Sequence, residues 1–183
     1  MASLEFVGLI FTGLSISISI IYYANILRNA NKAQQIQQET RDAQYFMQYA
    51  QLFHTSERMT QWANLMSYRW DDYIDFEHKY GSQDHPEEFG ERFAYWQSLN
   101  DLGWMVEKGM VKVEDVNALI GQSLFWLWEK YEDIILKQRE LYSLPDSMIY
   151  WEKLYNRVKE YRRQKGILKE VPEFFDNYLA TIK

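Results

Sequence analysis

The sequence predicts an all-α fold, and three observations carry that expectation. No charged residue occurs in the twenty-two positions from Phe6 to Leu27. Apolar residues after that run recur at helical spacing. Only eight Gly and three Pro punctuate 183 residues, which favours long helices over many turns. The expected plan is an N-terminal transmembrane helix over residues 1–28, a helical stalk over 29–54, and a bundle of about five helices over 55–183.

A bilayer's hydrocarbon core needs about 20 apolar residues of helix to cross it, and the run between Glu5 and Arg28 meets that length. Ser15-Ile16-Ser17-Ile18-Ser19-Ile20 alternates with period two, a strand signature in water. A lone strand in lipid would leave its backbone N–H and C=O groups unpaired, so a helix is expected there. A cleaved leader is disfavoured, because Met1–Glu5 holds no Lys or Arg and the apolar stretch is too long. Tyr22 and Tyr23 suit the headgroup level near one end. Arg28, Lys32 and Arg41 follow the run, whereas Glu5 precedes it. The positive-inside rule then predicts a single-pass protein of the cell membrane, with its N-terminus outside and its larger domain cytoplasmic. The absence of Cys agrees with a reducing compartment.

The stalk reads as a continuation of the same helix. Ala33, Ile36, Thr40, Ala43, Met47 and Ala50 step by alternating threes and fours, a heptad seam of small and polar members. A helix from Phe6 to about Phe53 would be roughly 70 Å long at about 1.5 Å per residue. The seam can pack against the chain's own later helices or against a second copy.

Thr55-Ser56-Glu57 can cap a second helix, with Met59, Trp62, Met66, Trp70 and Tyr73 along one face, ending near Tyr80-Gly81. Asp84-His85-Pro86-Glu87 reads as a capping box with an early Pro. The helix behind it presents Phe89, Phe93, Trp96, Leu99, Leu102 and Val106, and Gly109 suits the left-handed cap. Glu114 and Asp115 start a fourth helix past Leu119, Trp126 and Ile134 to about Leu141. Pro145 opens a fifth that reaches Lys165-Gly166. Pro172 opens a short sixth with Phe174, Phe175 and Tyr178.

Several of these stretches carry a resemblance. Leu99-Asn100-Asp101-Leu102-Gly103, Val106-Glu107-Lys108-Gly109-Met110-Val111, Trp126-Leu127-Trp128, Arg139, and Pro145 followed by Tyr150-Trp151-Glu152-Lys153-Leu154-Tyr155 resemble a prokaryotic family of single-pass, membrane-anchored helical proteins catalogued only as a domain of unknown function. The similarity covers about residues 10–165. It implies a membrane tether with a helical cytosolic domain. The matching positions are core residues and caps, so it implies no activity.

Composition and motifs narrow the function classes. Aromatics make up 17% of the chain, which argues against disorder. Net charge is −6, with eleven acidic against five basic residues over 57–108, so a basic nucleic-acid binder is not expected. The chain has no phosphate-cradling Gly loop and no His-Glu-x-x-His, and thus no motif for a cofactor or metal. Bundle di-iron sites need Glu-x-x-His pairs, and only the reversed His54-Thr55-Ser56-Glu57 occurs, across a predicted break. His54, His78 and His85 sit near helix ends, where capping or solvation is the ordinary role. Paired carboxylates at Asp71, Asp72, Asp75 and Glu77 could do acid–base work if buried, but they read as a solvated helix end.

Two surfaces remain. Gly8 with Thr12, Gly13 with Ser17, and Ser15 with Ser19 form small-xxx-small pairs. Gly8, Thr12, Ser15 and Ser19 share one stripe suited to close helix contact in lipid. Lys153, Arg157, Lys159, Arg162, Arg163, Lys165 and Lys169 outnumber Glu152 and Glu160 by five. Arg157, Arg162 and Arg163 are the candidates for contact with anionic headgroups, although cations near a helix C-terminus also suit its dipole. The expected function is a membrane-anchored interaction or scaffold protein, an accessory subunit of a membrane complex. Its expected partners are the lipid bilayer and another membrane protein or a second copy, through anchor and stalk. The alternative is a membrane-tethered enzyme or ligand sensor with a pocket between helices. The missing catalytic motifs weigh against the enzyme.

Overall fold

The computed structural model describes residues 2–168, excepting the side chains of residues 2–5, Val7, Ile10 and Thr12. Among the described residues the chain forms six helices and no strand. It divides into two compact units, Met1–Gln44 and Tyr45–Lys183.

The first unit lies wholly within α1, Ala2–Phe53, which carries no break. The period-two Ser/Ile stretch is helical. Two of its three hydroxyls turn inward on their own backbone. Ser17 donates to the Gly13 carbonyl at 2.9 Å and Ser19 to the Ser15 carbonyl at 2.8 Å. Leu9, Phe11, Leu14, Ile16, Ile18, Ile20, Ile21 and Leu27 are all exposed. Among the described residues, no helix is long and apolar enough to cross a membrane. From Gly13 onward, three serines, two tyrosines and Asn25 dilute the isoleucines, and Val7 and Ile10 are among the excepted side chains.

The second unit holds the end of α1 from Tyr45, then α2 (Ser56–Ser67), α3 (Tyr73–Tyr80), α4 (Pro86–Glu107), α5 (Val113–Tyr142) and α6 (Ile149–Gln164). The Thr55 side chain caps α2 by accepting from the Arg58 amide at 3.2 Å. The single helix expected from Ser56 to Tyr80 is in fact two. Asp72 is extended, and its carboxylate accepts from the Asp75 amide at 2.8 Å, so it starts a new helix. The ending of α2 is fixed from across the bundle, where the Lys130 ammonium donates to the Met66 and Tyr68 carbonyls, both at 2.7 Å.

The expected capping box before α4 does not form. His85 occupies the cap position without a side-chain bond, and Pro86 opens the helix. Proline at the first helical position is free of cost, because that amide has no partner within the helix. Gly109 adopts the left-handed cap, φ 72°, and Met110 donates back to the Met105 carbonyl at 3.0 Å.

Pro145 does not open α6; that helix begins four residues later, at Ile149. Its first free amides find a partner on another helix. Asn100 Oδ1 in α4 accepts from the Tyr150 amide at 3.0 Å and the Trp151 amide at 3.3 Å. The helix ends at Gly166, φ 66°, with Ile167 donating to the Arg162 carbonyl at 3.0 Å. The helix expected from Pro172 lies outside the described residues.

The core sits where α4, α5 and α6 meet. Trp96, Leu99 and Leu102 face Leu124, Leu127 and Trp128, and Trp151, Leu154 and Val158 close it from α6, all essentially without solvent contact. Trp128 and Trp151 meet edge to face at 5.2 Å, and Trp96 meets Tyr131 at 5.0 Å. Such pairs are worth about 0.5–1.5 kcal/mol beyond their buried area.

Candidate functional site

An open groove of about 900 Å³ lies in the second unit between the end of α1, the second half of α4 and the start of α6. Tyr45, Tyr49 and Leu52 come from α1, one turn apart. Trp104 and Met105 come from α4, and Met110 and Tyr150 complete the walls. Tyr45 is 53% exposed, Leu52 50% and Trp104 42%. Apolar groups this open and this close together are characteristic of binding surfaces.

Three of the groove's polar side chains, those of Tyr49, Asn100 and Asp101, are already engaged. Tyr49 donates its hydroxyl proton to the Ser98 carbonyl, and burial together with Asp101 pushes its phenol up, so it stays neutral. Ser98 Oγ accepts from Arg58 at 3.0 Å. Asn100 is committed to α6, and Asp101 accepts from Gln97 at 2.8 Å. No nucleophile here faces a base. The arrangement can hold an apolar or aromatic surface.

A second, smaller hollow of about 380 Å³ is lined by Phe53, His54, Met59 and Trp62 among others. Among the described residues, no group of three or more His, Asp or Glu is placed to hold a metal ion. The acidic residues near α3 have structural work. Asp72 caps the helix, Asp75 accepts from the Asp71 amide and from Lys79, and Glu77 accepts from Gln138 at 3.2 Å.

Three cations that the sequence reading did not single out gather around the aromatic cluster of Trp70, Phe76 and Tyr131. Arg92, 1% exposed, donates to the Tyr80 carbonyl at 2.6 Å and lies 4.5 Å above the Phe76 ring. Its position was legible. It falls on the stripe of Phe89, Trp96 and Leu99, where a charged residue must go inward. Lys130 lies 5.0 Å over Trp70 and caps α2, and Arg69 donates to the same two carbonyls. Nothing in the local sequence marks Lys130, because its carbonyl partners are more than sixty residues away.

Burial, with Arg69 alongside, pushes the Lys130 ammonium down to about 7. An unfolded lysine keeps its proton to about pH 10.4. Between those values the unfolded chain binds more protons, so stability rises with pH. The urea midpoint of the bundle is expected to climb from pH 7 to about 9.5, below the ordinary tyrosine range. Lys130→Met should remove that climb. A wild-type midpoint that is flat or falling over the same window would contradict the assignment.

The structure separates the three basic candidates. Arg157 pairs with Glu107 at 2.6 Å and Arg163 with Glu160, both at the surface. Arg162 is corrected. It is 7% exposed and points into the bundle, where it donates to Asn117 Oδ1 at 2.6 Å and Gln122 Oε1 at 3.0 Å. A buried guanidinium cannot reach a headgroup. In α1, Gly8, Ser15 and Ser19 are exposed, with the Ser19 hydroxyl proton already donated to Ser15. The Thr12 side chain lies outside the described residues.

No protein-family model matches this chain, and neither does any curated protein or solved structure.

Proposed function

We propose that the chain is a membrane-anchored interaction protein, with the Phe6–Leu27 stretch as its single-pass anchor and the helical bundle as its working domain. The observation that carries the reading is the exposure of Phe6, Leu9, Phe11, Leu14, Ile16, Ile18, Ile20, Ile21, Ile26 and Leu27, which are spread around the whole circumference of one helix. A helix apolar on most of its circumference is stable only when lipid or protein surrounds it. The groove speaks for binding over catalysis, since it offers exposed aromatics with no paired acid and base.

In this reading Gly8, Thr12, Ser15 and Ser19 face another helix in the bilayer, from a second copy or a different membrane protein. Arg28, Lys32 and Arg41 hold the bundle on the cytoplasmic side. Arg157 and Arg163 remain available to anionic headgroups.

Membrane extraction tests the anchor. The wild-type chain should stay with the membrane pellet through alkaline carbonate washing. Ile18→Arg with Ile21→Arg should release it, since each Arg near a helix centre opposes insertion by about 2.5–3.5 kcal/mol. Wild-type protein in the wash would overturn the reading.

A further inference from the structure

We propose that α1 of one chain pairs with α1 of a second copy, parallel and in register, along one seam from Gly8 to Ala43. The anchor stripe of Gly8, Thr12, Ser15 and Ser19 shares a single heptad register with the stalk seam of Ala33, Ile36, Thr40 and Ala43. Tyr22, Ile26 and Asn29 join the two, so steps of 4 and 3 alternate throughout without a stutter. Helix α1 is unbroken over this length. A strict heptad repeat drifts by ~20° per heptad around a straight helix, so a long one stays on one side only where helices supercoil.

The stalk carries the argument. Between Asn29 and Gln44 the apolar residues are Ala30, Ala33, Ile36 and Ala43, and all but Ala30 lie on the seam. Ala50, one heptad beyond Ala43, is buried in the bundle, whereas Ala33, Ile36, Thr40 and Ala43 are exposed. Lipid covers the anchor half alone, since the stalk lies beyond Arg28 and Lys32. Self-complementarity favours a second copy over a different protein. Two chains inserted the same way are parallel, and a two-fold axis along the pair sets each seam residue against its own copy. Small layers then meet small layers, which permits close approach in lipid. Asn29 meets Asn29, and a slip of one heptad would set it against Tyr22 or Ile36, so this polar layer fixes the register. The flanking charges agree. Lys32 and Glu39 of one copy face Gln37 and Gln44 of the other, so no like charges meet. Gly8 to Ala43 spans ~53 Å of helix. With a contact strip ~10 Å wide on each copy, the pair buries ~1,050 Å², just above the ~1,000 Å² that a specific interface needs. The membrane half of the seam rests on the anchor reading.

The chain has no cysteine, so single replacements report pairing directly. In membranes holding the full chain, Ala33→Cys, Ile36→Cys and Thr40→Cys on the seam are compared with Gln34→Cys, Gln38→Cys and Arg41→Cys on the outer face. Copper phenanthroline oxidises them, and non-reducing gels read the products. Same-numbered cysteines close a disulfide only where their Cα atoms come within about 7 Å, which a parallel, in-register seam provides. The expected result is a band at twice the chain mass for the three seam variants and none for the outer three. Adding Ile36→Glu to Ala33→Cys should abolish the band, and adding Gln38→Glu should not. Equal bands at all six positions would overturn the proposal, because random collision gives them. So would bands only with a protein of different mass. Carbonate washing of the same membranes keeps two failures apart. A retained chain without seam bands overturns the pairing alone, whereas a chain lost to the wash removes the anchor and the membrane half of the seam with it.

Discussion

Gly103→Ala is expected to cost the bundle about 3 kcal/mol or to abolish its cooperative unfolding, the upper range for overpacking. Gly103 is where α4 and α6 touch backbone to backbone. A Cβ there would stand 2.0 Å from the Tyr150 carbonyl oxygen, 2.5 Å from its carbon and 3.1 Å from the Trp151 nitrogen. None of these atoms can rotate away, so relief requires moving the start of α6. That start is held by Asn100, one turn earlier on α4, through the two amides that the clash would displace. Losing them returns unpaired donors to the end of a buried helix, at a further ~1–3 kcal/mol each if no water replaces Asn100. Gly90→Ala is the control on the same helix. Nothing lies within 4 Å of a Cβ at that position, and alanine should stabilise the helix by about 0.5–1 kcal/mol. Equal unfolding midpoints for the two variants, followed by circular dichroism, would remove the α4–α6 contact from the account.

That contact shows what the sequence makes legible and what it hides. Helix α4 announces itself because it carries its own signals, Pro86 and Gly109 at the ends and an apolar stripe between. Thr55 and Gly166 are likewise local punctuation with local consequences. Failures occur where a helix end is decided by a distant partner. Nothing near Pro145 tells that Asn100 will serve the amides of Tyr150 and Trp151, so the expected start of α6 falls at the proline. Nothing near Ser67 tells that Lys130 will take the carbonyls of Met66 and Tyr68, so two helices read as one. The groove was hidden for a related reason. Tyr45, Leu52 and Trp104 each look like ordinary members of an apolar face, and only the approach of α1 to α4 leaves them uncovered together.

Arg162→Gln should destabilise the bundle by about 1–3 kcal/mol, whereas Arg157→Gln and Arg163→Gln should each stay within about 1 kcal/mol of wild type. On the helix, Arg162 continues the buried stripe of Trp151, Leu154, Tyr155 and Val158, four residues beyond the last of them. Its guanidinium is received by two neutral amide oxygens and the face of Phe125 at 5.7 Å, and burial draws its pKa down. Gly121 leaves the room for this, since a Cβ there would come within 2.6 Å of Asn117 Oδ1 and 3.2 Å of the guanidinium. Glutamine is too short to reach both Asn117 and Gln122, so one part-buried acceptor loses its charged donor. The surface pair differ in kind. Arg157 and Arg163 are about half exposed and bonded to Glu107 and Glu160, where water can replace them. Urea denaturation of the three single variants separates the roles. The contrast also decides how lipid contact must be tested, because a variant that includes Arg162 confounds unfolding with lost charge. Arg157→Gln with Arg163→Gln keeps the fold, so weaker sedimentation with anionic vesicles at low salt would then report the headgroup contact itself. Sedimentation equal to wild type would leave both residues as partners of Glu107 and Glu160 alone. A single Arg162→Gln chain as stable as wild type would mean that the amide pair holds nothing that matters to the fold.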